Sequence, residues 1–254
     1  MTDRRNDLPA LGLDAIRLLG AGAIAFAVEG LLESNRLLAL VVGALAVDWM
    51  ARRAGMRWDE SGADRWQVVG LRLAAGAGVG AAIALAATLA VVVAGRATVT
   101  LGSPAPVGIG IGVVSALALA ARDELLFRGL PLALMSGRVA DRWALPFTAL
   151  LGAAPLVLSR TATATGVVVT LLSGFVFALL WRSGRGMYRA WGAHAGWLFF
   201  AGSGVRGMLL DVRFASGQIL PMGSATGWPA WASIALFAAG AAVLILIDRR
   251  RAAA

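Results

Sequence analysis

The feature that most constrains this chain is a succession of long apolar stretches separated by short charged or glycine-rich segments. A helix that crosses a bilayer needs about 20 mainly apolar residues. Such stretches cover 10–32, 36–51, 67–95, 107–122 with a continuation to 136, 143–159, 165–182, 187–205 and 228–247. They predict an all-α fold, a polytopic transmembrane helix bundle of about eight spans. Stretch 36–51 is the shortest of them. Hydrophobic residues make up 59% of the chain and charged residues only 15%. A soluble domain carries roughly a quarter charged residues, so a disordered chain is excluded and a soluble globule is disfavoured. The first stretch contains Asp14, Arg17 and Glu29 and runs directly into the next, which reads as a retained helix rather than a cleavable leader. Residues 1–254 read as a single integral membrane domain with no second soluble unit.

The net charge of +9 is carried entirely by arginine, because the chain contains no lysine. With eight spans both termini share a side. Fourteen arginines then fall on that side, and five fall on the other: Arg36, Arg96, Arg160, Arg206 and Arg213. This bias puts both termini in the cytoplasm and the protein in the bacterial inner membrane. The basic balance points to membrane lipids as partners, with no nucleic acid. Arg17, Arg72, Arg122 and Arg128 lie in or beside predicted spans, where charge is expected to face the bundle interior or a polar cavity.

The rare residues bound the chemistry. No Cys means no disulfide framework, iron–sulfur cluster or thiol nucleophile. One His, His194, excludes multi-His metal sites within one chain. The absence of Lys excludes Schiff-base and P-loop lysine mechanisms. Trp58 and Trp66 in the charged segment 51–66, with Tyr188 and the other tryptophans, suit the membrane interface. Residues 206–227, containing Pro221, read as the longest loop of the opposite side. Gly76, Gly78 and Gly80, and likewise Gly108, Gly110 and Gly112, favour close helix packing.

The most informative segment runs from Arg122 to Pro131: Arg-Asp-Glu-Leu-Leu-Phe-Arg-Gly-Leu-Pro. Glu124 and Arg128 are four apart and share a helix face, so they can pair. Asp123 points about 100° away from Glu124. One carboxylate can thus be neutralised by Arg128 while the other projects into a cavity, where a desolvated carboxylate suits general acid/base work. The competing reading is a buried ion pair used for packing. His194 sits on an apolar helix between Trp191 and Trp197 and is either a packing residue or a partner of the two carboxylates. It lies about five residues, roughly 8 Å, from the turn ending at Arg189, whereas Glu124 lies roughly 21 Å from Arg138 along a straight helix. The two levels match only if the helix breaks near Gly129–Pro131. A Ser159–His194–Asp123 triad is also available, although Ser159 lacks a nucleophile-elbow context.

Asp123-Glu124-Leu-Leu-Phe-Arg128-Gly resembles the first motif, Glu-Glu-x-x-x-Arg, of the CPBP family of intramembrane proteases (CAAX proteases and bacteriocin-processing enzymes). Trp191-Gly-Ala-His194-Ala-Gly-Trp-Leu198 resembles the family's late His-x-x-x-Asn motif, with Leu198 at the Asn. The middle motif, Phe-x-x-x-His, corresponds to Pro155–Ser159, with Ser159 at the His. The similarity makes 107–205 a CPBP-like core. It implies water attack on a peptide bond of a membrane-associated protein or peptide, such as a prenylated C terminus or, in myxosortase-like members, a C-terminal sorting signal. Asp123 or Glu124 would be the general base, Arg128 would orient the carboxylates, and His194 would assist the water or the oxyanion. Some accounts of the family invoke a divalent metal, which one His supports weakly; no other cofactor is implied. Oligomeric state is not legible. Two further readings stand beside the protease: a non-catalytic membrane scaffold, chaperone or immunity protein, and a small transporter using Asp14, Glu29, Asp48 and Asp123.

Overall fold

The computed structural model describes residues 8–32, 34–53, 56, 58, 65–159, 162–184, 186–216 and 225–253. Every predicted apolar stretch is helical. The order is α1 (Leu8–Leu31), α2 (Arg36–Arg53), α3 (Trp66–Val93), α4 (Pro106–Glu124), a π turn (Leu125–Gly129), α5 (Leu130–Met135), α6 (Asp141–Ser159), α7 (Ala164–Gly184), α8 (Met187–Ala201) and α9 (Gly227–Ala253). Local chemistry starts several of them. Asn35 Oδ1 accepts the Leu38 N–H at 3.1 Å as α2 begins, and Pro106 supplies the first residue of α4, where no amide donor is needed.

Three helices are long and apolar enough to cross a membrane: Trp66–Val93, Ala164–Gly184 and Gly227–Arg251. Only 22% of the most apolar window of the last is buried against protein, so lipid is the natural solvent for the rest of it. Among the described residues these three meet that measure, and the expected count of eight is not shown by it.

The all-α expectation needs one addition. Ala97–Leu101 (β1) pairs antiparallel with Leu210–Phe214 (β2), in register from Ala97 opposite Phe214 to Leu101 opposite Leu210. Residues 206–216, expected as loop, therefore include a strand. Leu210, Val212 and Phe214 alternate with Asp211 and Arg213, the period of a strand rather than a helix. Pro221 lies outside the described residues. The ribbon ties the α3–α4 connection to the segment after α8: Gly102 N–H donates to Leu209 O at 3.0 Å and Ser103 N–H to Gly207 O at 2.9 Å.

The closest helix pair is α3 against α8. Gly76 and Gly80 face α8, and Gly192 and Gly196 face α3. A Cβ on Gly80 would meet the Ala193 carbonyl oxygen, and one on Gly196 would meet that of Ala77, so the two backbones touch. This is small-residue packing, in which the absence of side chains permits close approach. Not every glycine of the stripe contributes: Gly78 and Gly110 have open space around them. A layer of larger side chains fills the space beside α8, where Phe237 of α9 meets Trp197 edge-on at 4.8 Å and Phe177 of α7 at 6.1 Å.

Trp58 is held by protein contacts. Its indole N–H donates to Asp48 at 2.5 Å, its ring meets Trp191 edge-on at 5.5 Å, and its carbonyl accepts the Met187 N–H at 2.8 Å as α8 begins. Trp66, by contrast, is 80% exposed, as an interfacial residue should be. Arg122 and Arg128 are buried as expected, but Arg72 is half-buried and Arg17 exposed.

Gly80→Ala or Gly196→Ala should push α3 and α8 apart and lower stability by roughly 1–3 kcal/mol, as overpacking does. Gly78→Ala should be neutral or stabilising by up to about 1 kcal/mol through helix propensity. Thermal unfolding in detergent measures the contrast; equal effects at positions 78 and 80 would contradict the packing described.

Candidate functional site

Glu124 closes α4, and Arg128 sits in the π turn that follows. The helix does not break near Gly129–Pro131 as expected from the depth argument. It continues to Met135 through a wider turn in which Leu130 N–H bonds to Leu125 O. Pro131 has no amide to donate, and a π turn can absorb that mismatch without ending the helix. Glu124 still meets a residue of α8, so the ends of the two helices are simply not level.

Glu124 is 0% exposed. Its Oε1 accepts from Arg128 Nη1 and lies 2.9 Å from His194 Nδ1. Arg128 is 4% exposed and is held on every side. Its Nε donates to Gly174 O at 3.3 Å, and its guanidinium stands 5.3 Å from the Phe177 ring centroid. A Cβ on Gly174 would come within 3.2 Å of Nη2, so glycine keeps the slot open. Phe177 also stacks on His194, centroids 4.8 Å apart, and so locks both partners of Glu124.

The geometry of α8 aims the imidazole. Gly192 and Gly196 seat one face on α3, and Trp191 Nε1 donates to Leu117 O of α4 at 2.8 Å. His194 is about 200° around the helix from Gly192 and therefore points away from α3. A carboxylate oxygen only accepts, so Nδ1 carries the proton in this hydrogen bond. In that tautomer Nε2 is the acceptor nitrogen. Among the described residues the one buried side-chain nitrogen or oxygen without a partner is Glu124 Oε2, so His194 Nε2 is not buried; it opens onto the cavity that His194 lines.

That cavity has a volume of about 220 Å³. Its polar wall is Glu29, Arg122, Asp123, Arg128 and His194 with the hydroxyls of Thr170 and Ser173; its apolar wall includes Phe26, Pro155, Leu156, Trp197 and Leu198. Asp123 Oδ1 accepts from Arg122 Nε at 2.8 Å and Nη2 at 2.6 Å. The third nitrogen of that guanidinium, Nη1, donates to Glu29 Oε1 of α1. Asp123 Oδ2 has no described partner and is not among the buried unpaired atoms, so it too opens on the cavity. The arrangement has two layers. A buried Glu124–Arg128 pair positions His194, with Arg128 reaching the cavity wall, and an Arg122-held Asp123 faces the same space. Two proton acceptors on one cavity can hold and deprotonate a water.

Asp123, Glu124, Arg128 and His194 are thus brought together at one place. Ser159 ends α6 one turn beyond Pro155, but its side chain, like that of Asp14, lies outside the described residues. Leu198 lines the cavity one turn after His194. Sequence reasoning missed Glu29, Phe26, Gly174 and Phe177 as parts of the site. Gly174 and Phe177 share a face at i, i+3 of α7, and Phe26 and Glu29 do so on α1, yet neither spacing says which helix is opposite. Among the described residues no group of three or more His, Asp or Glu is arranged to hold a metal ion, so the donor set does not fit a divalent cation.

Residues 104–200 match the family model for type II CAAX prenyl endopeptidase Rce1-like proteins. The matched stretch runs from the start of α4 almost to the end of α8 and contains Asp123, Glu124, Arg128 and His194, but not Glu29. No curated protein and no solved structure matches the chain.

Because the chain has a single histidine, a ¹⁵N-histidine-labelled sample reports His194 alone. In alkaline buffer the spectrum should show the Nδ1-protonated tautomer. Glu124→Leu removes the acceptor and should shift it toward the Nε2-protonated form. An Nε2-protonated wild type would contradict the hydrogen bond to Glu124.

Proposed function

We propose that this helical membrane protein, residues 104–200 of which match the Rce1-like family model, is an intramembrane endopeptidase of the CPBP type. Its substrate is a membrane-associated protein or peptide, a prenylated C terminus or a C-terminal sorting signal. The observation that carries the reading is that Asp123, Arg128 and His194 line one cavity, with the fully buried Glu124 behind His194. Asp123 takes a proton from water as the water oxygen attacks the scissile carbonyl carbon, and it returns that proton to the amine nitrogen as the C–N bond breaks. His194 Nε2 accepts a hydrogen bond from the attacking water and orders it. Glu124 and Arg128 act through His194 as positioning residues, and Arg122 with Glu29 does the same for Asp123. Apolar lining by Phe26, Trp197 and Leu198 keeps bulk water out and strengthens these interactions. All eight helical stretches are taken as membrane-embedded, with both termini cytoplasmic by the arginine distribution.

A second reading is a non-catalytic CPBP-like scaffold, chaperone or immunity protein. One observation favours it: Leu198 lines the cavity where the resembled motif has Asn, so one polar group of that motif is replaced by an apolar one.

The test uses full-length protein in proteoliposomes with a fluorogenic farnesylated CAAX peptide, alongside terminal proteomics of membranes from cells expressing each variant. Asp123→Asn, His194→Ala and Glu124→Gln should each lower turnover by about 10²-fold or more while membrane insertion is unchanged. Cleavage retained by all three variants would remove this site, and a wild-type phenotype for all three in cells would favour the scaffold.

A further inference from the structure

Contacts between helix ends define two faces of the molecule. Arg182, near the end of α7, bonds Asp141 at the start of α6 at 3.2 Å and Asp248, near the end of α9, at 3.3 Å. A Cβ on Gly129 would meet both Met56, just past α2, and the Trp181 ring of α7, and the Trp58 carbonyl accepts the Met187 N–H as α8 begins. The ends of α2, α7 and α9 and the starts of α6 and α8 therefore share one face. The other face carries the ends of α1, α6 and α8 and the starts of α7 and α9. There Thr165 of α7 donates to Ala225 O, just before α9, at 2.8 Å. The β1–β2 ribbon lies beside it, with the Arg96 guanidinium 5.7 Å from the Trp228 ring centroid.

The candidate cavity runs from His194 toward the ribbon face. Phe26 and Glu29 of α1, Pro155 and Leu156 of α6, Thr170 of α7 and Leu198 of α8 all line it. Each lies within two turns of the end of its helix at the ribbon face. Exposure rises in the same direction: the Arg122 side chain is 6% exposed, that of Glu29 26%, and Phe26 47%. On the other side of His194 the interior is filled. Phe177 stacks on the imidazole, and Phe177, Leu130 and Met187 are at most 1% exposed. A separate cavity of about 480 Å³ at that face, lined by Ser136, Asp141 and Arg182, shares no lining residue with the candidate site. Leu31 ends α1 and Leu158 lies near the end of α6; both are more than four-fifths exposed, so the helix ends beside the mouth offer apolar surface.

The arginine distribution puts the termini in the cytoplasm, which makes the ribbon face the non-cytoplasmic one. We propose, resting on the peptidase reading above, that the site is loaded from the non-cytoplasmic side. Its substrate is then an exported protein held in the membrane by an apolar segment, and the scissile bond lies where that segment emerges. Of the two substrate classes above, this selects the C-terminal signal of an exported protein. A prenylated chain end presented in the cytoplasm would face the filled side of His194.

The chain contains no Cys, so a single introduced thiol reports alone. Full-length protein carries Thr170→Cys or Ser173→Cys in the cavity, both close in size to the native residue. Thr98→Cys on the ribbon and Ser136→Cys after α5 mark the two faces. A membrane-impermeant maleimide is added to spheroplasts and to inside-out vesicles. Both cavity thiols and Thr98→Cys should be labelled in spheroplasts, and Ser136→Cys in inside-out vesicles alone. Cavity thiols labelled in inside-out vesicles, or in neither preparation, overturn the outward opening whatever the protein cleaves. Terminal proteomics of the same cells gives the second readout: termini lost with Asp123→Asn should lie in exported segments, and termini confined to cytoplasmic segments overturn the proposal. If labelling is as expected but no termini depend on Asp123, the peptidase reading falls and the substrate with it, while the outward opening stands.

Discussion

A carboxylate with no exposure at all is tolerable in a protein interior only when charged partners and hydrogen bonds replace its water. Glu124 is such a group, and the arrangement around it follows from that need. Its Oε1 receives Arg128 from the following turn and His194 from a helix seventy residues later in sequence. Supplying both donors to one oxygen requires α4 to pass into a π turn rather than stop at Pro131. It also requires α8 to lie close enough for its third face to reach α4. The glycines of the α3–α8 contact fix where α8 sits, because a side chain at Gly80 or Gly196 would shift α8 off α3 and move His194 relative to Glu124. A packing feature remote from the chemistry thus sets the position of the one imidazole.

Adjacent carboxylates end up with opposite fates because neighbouring helix positions differ by about 100°. Glu124 turns into protein and becomes structural to His194. Asp123 turns into the cavity and keeps one oxygen open. The pair of arginines divides in the same way: Arg128 is enclosed by Gly174 and Phe177, while Arg122 bridges Asp123 to Glu29 on α1. Helix α1 lies outside the stretch that matches the family model, yet Phe26 and Glu29 complete one wall of the cavity. The boundaries of the site are therefore wider than those of the motif-bearing core.

Much of this was legible in the chain. Apolar periods marked every long helix, and the spacing of Glu124 and Arg128 announced their pairing, because helix neighbours at i, i+4 are local geometry. The division of roles between Asp123 and Glu124 followed from the same local rule. Other features were present but misread. The strict alternation of 210–214 is a strand pattern, hidden by the surrounding glycines and by the apolar context. Trp58 looked interfacial by its charged neighbours, but an indole N–H that finds a carboxylate, Asp48, moves inward. The expected helix break failed because it assumed that turns on one side of the bundle lie at one level.

What the sequence determined by itself was everything set within one or two turns of chain: helical segments, the local ion pair, the divergence of the two carboxylates, and a composition that calls for lipid. What only the tertiary structure decided was which oxygen each donor reaches, that Glu29 and Phe177 belong to the site, and that His194 presents Nε2 to the cavity. The physical reason is that those choices depend on the approach of helices distant in sequence. That approach is governed by where side chains are absent, at Gly76, Gly80, Gly192 and Gly196, as much as by where they are present.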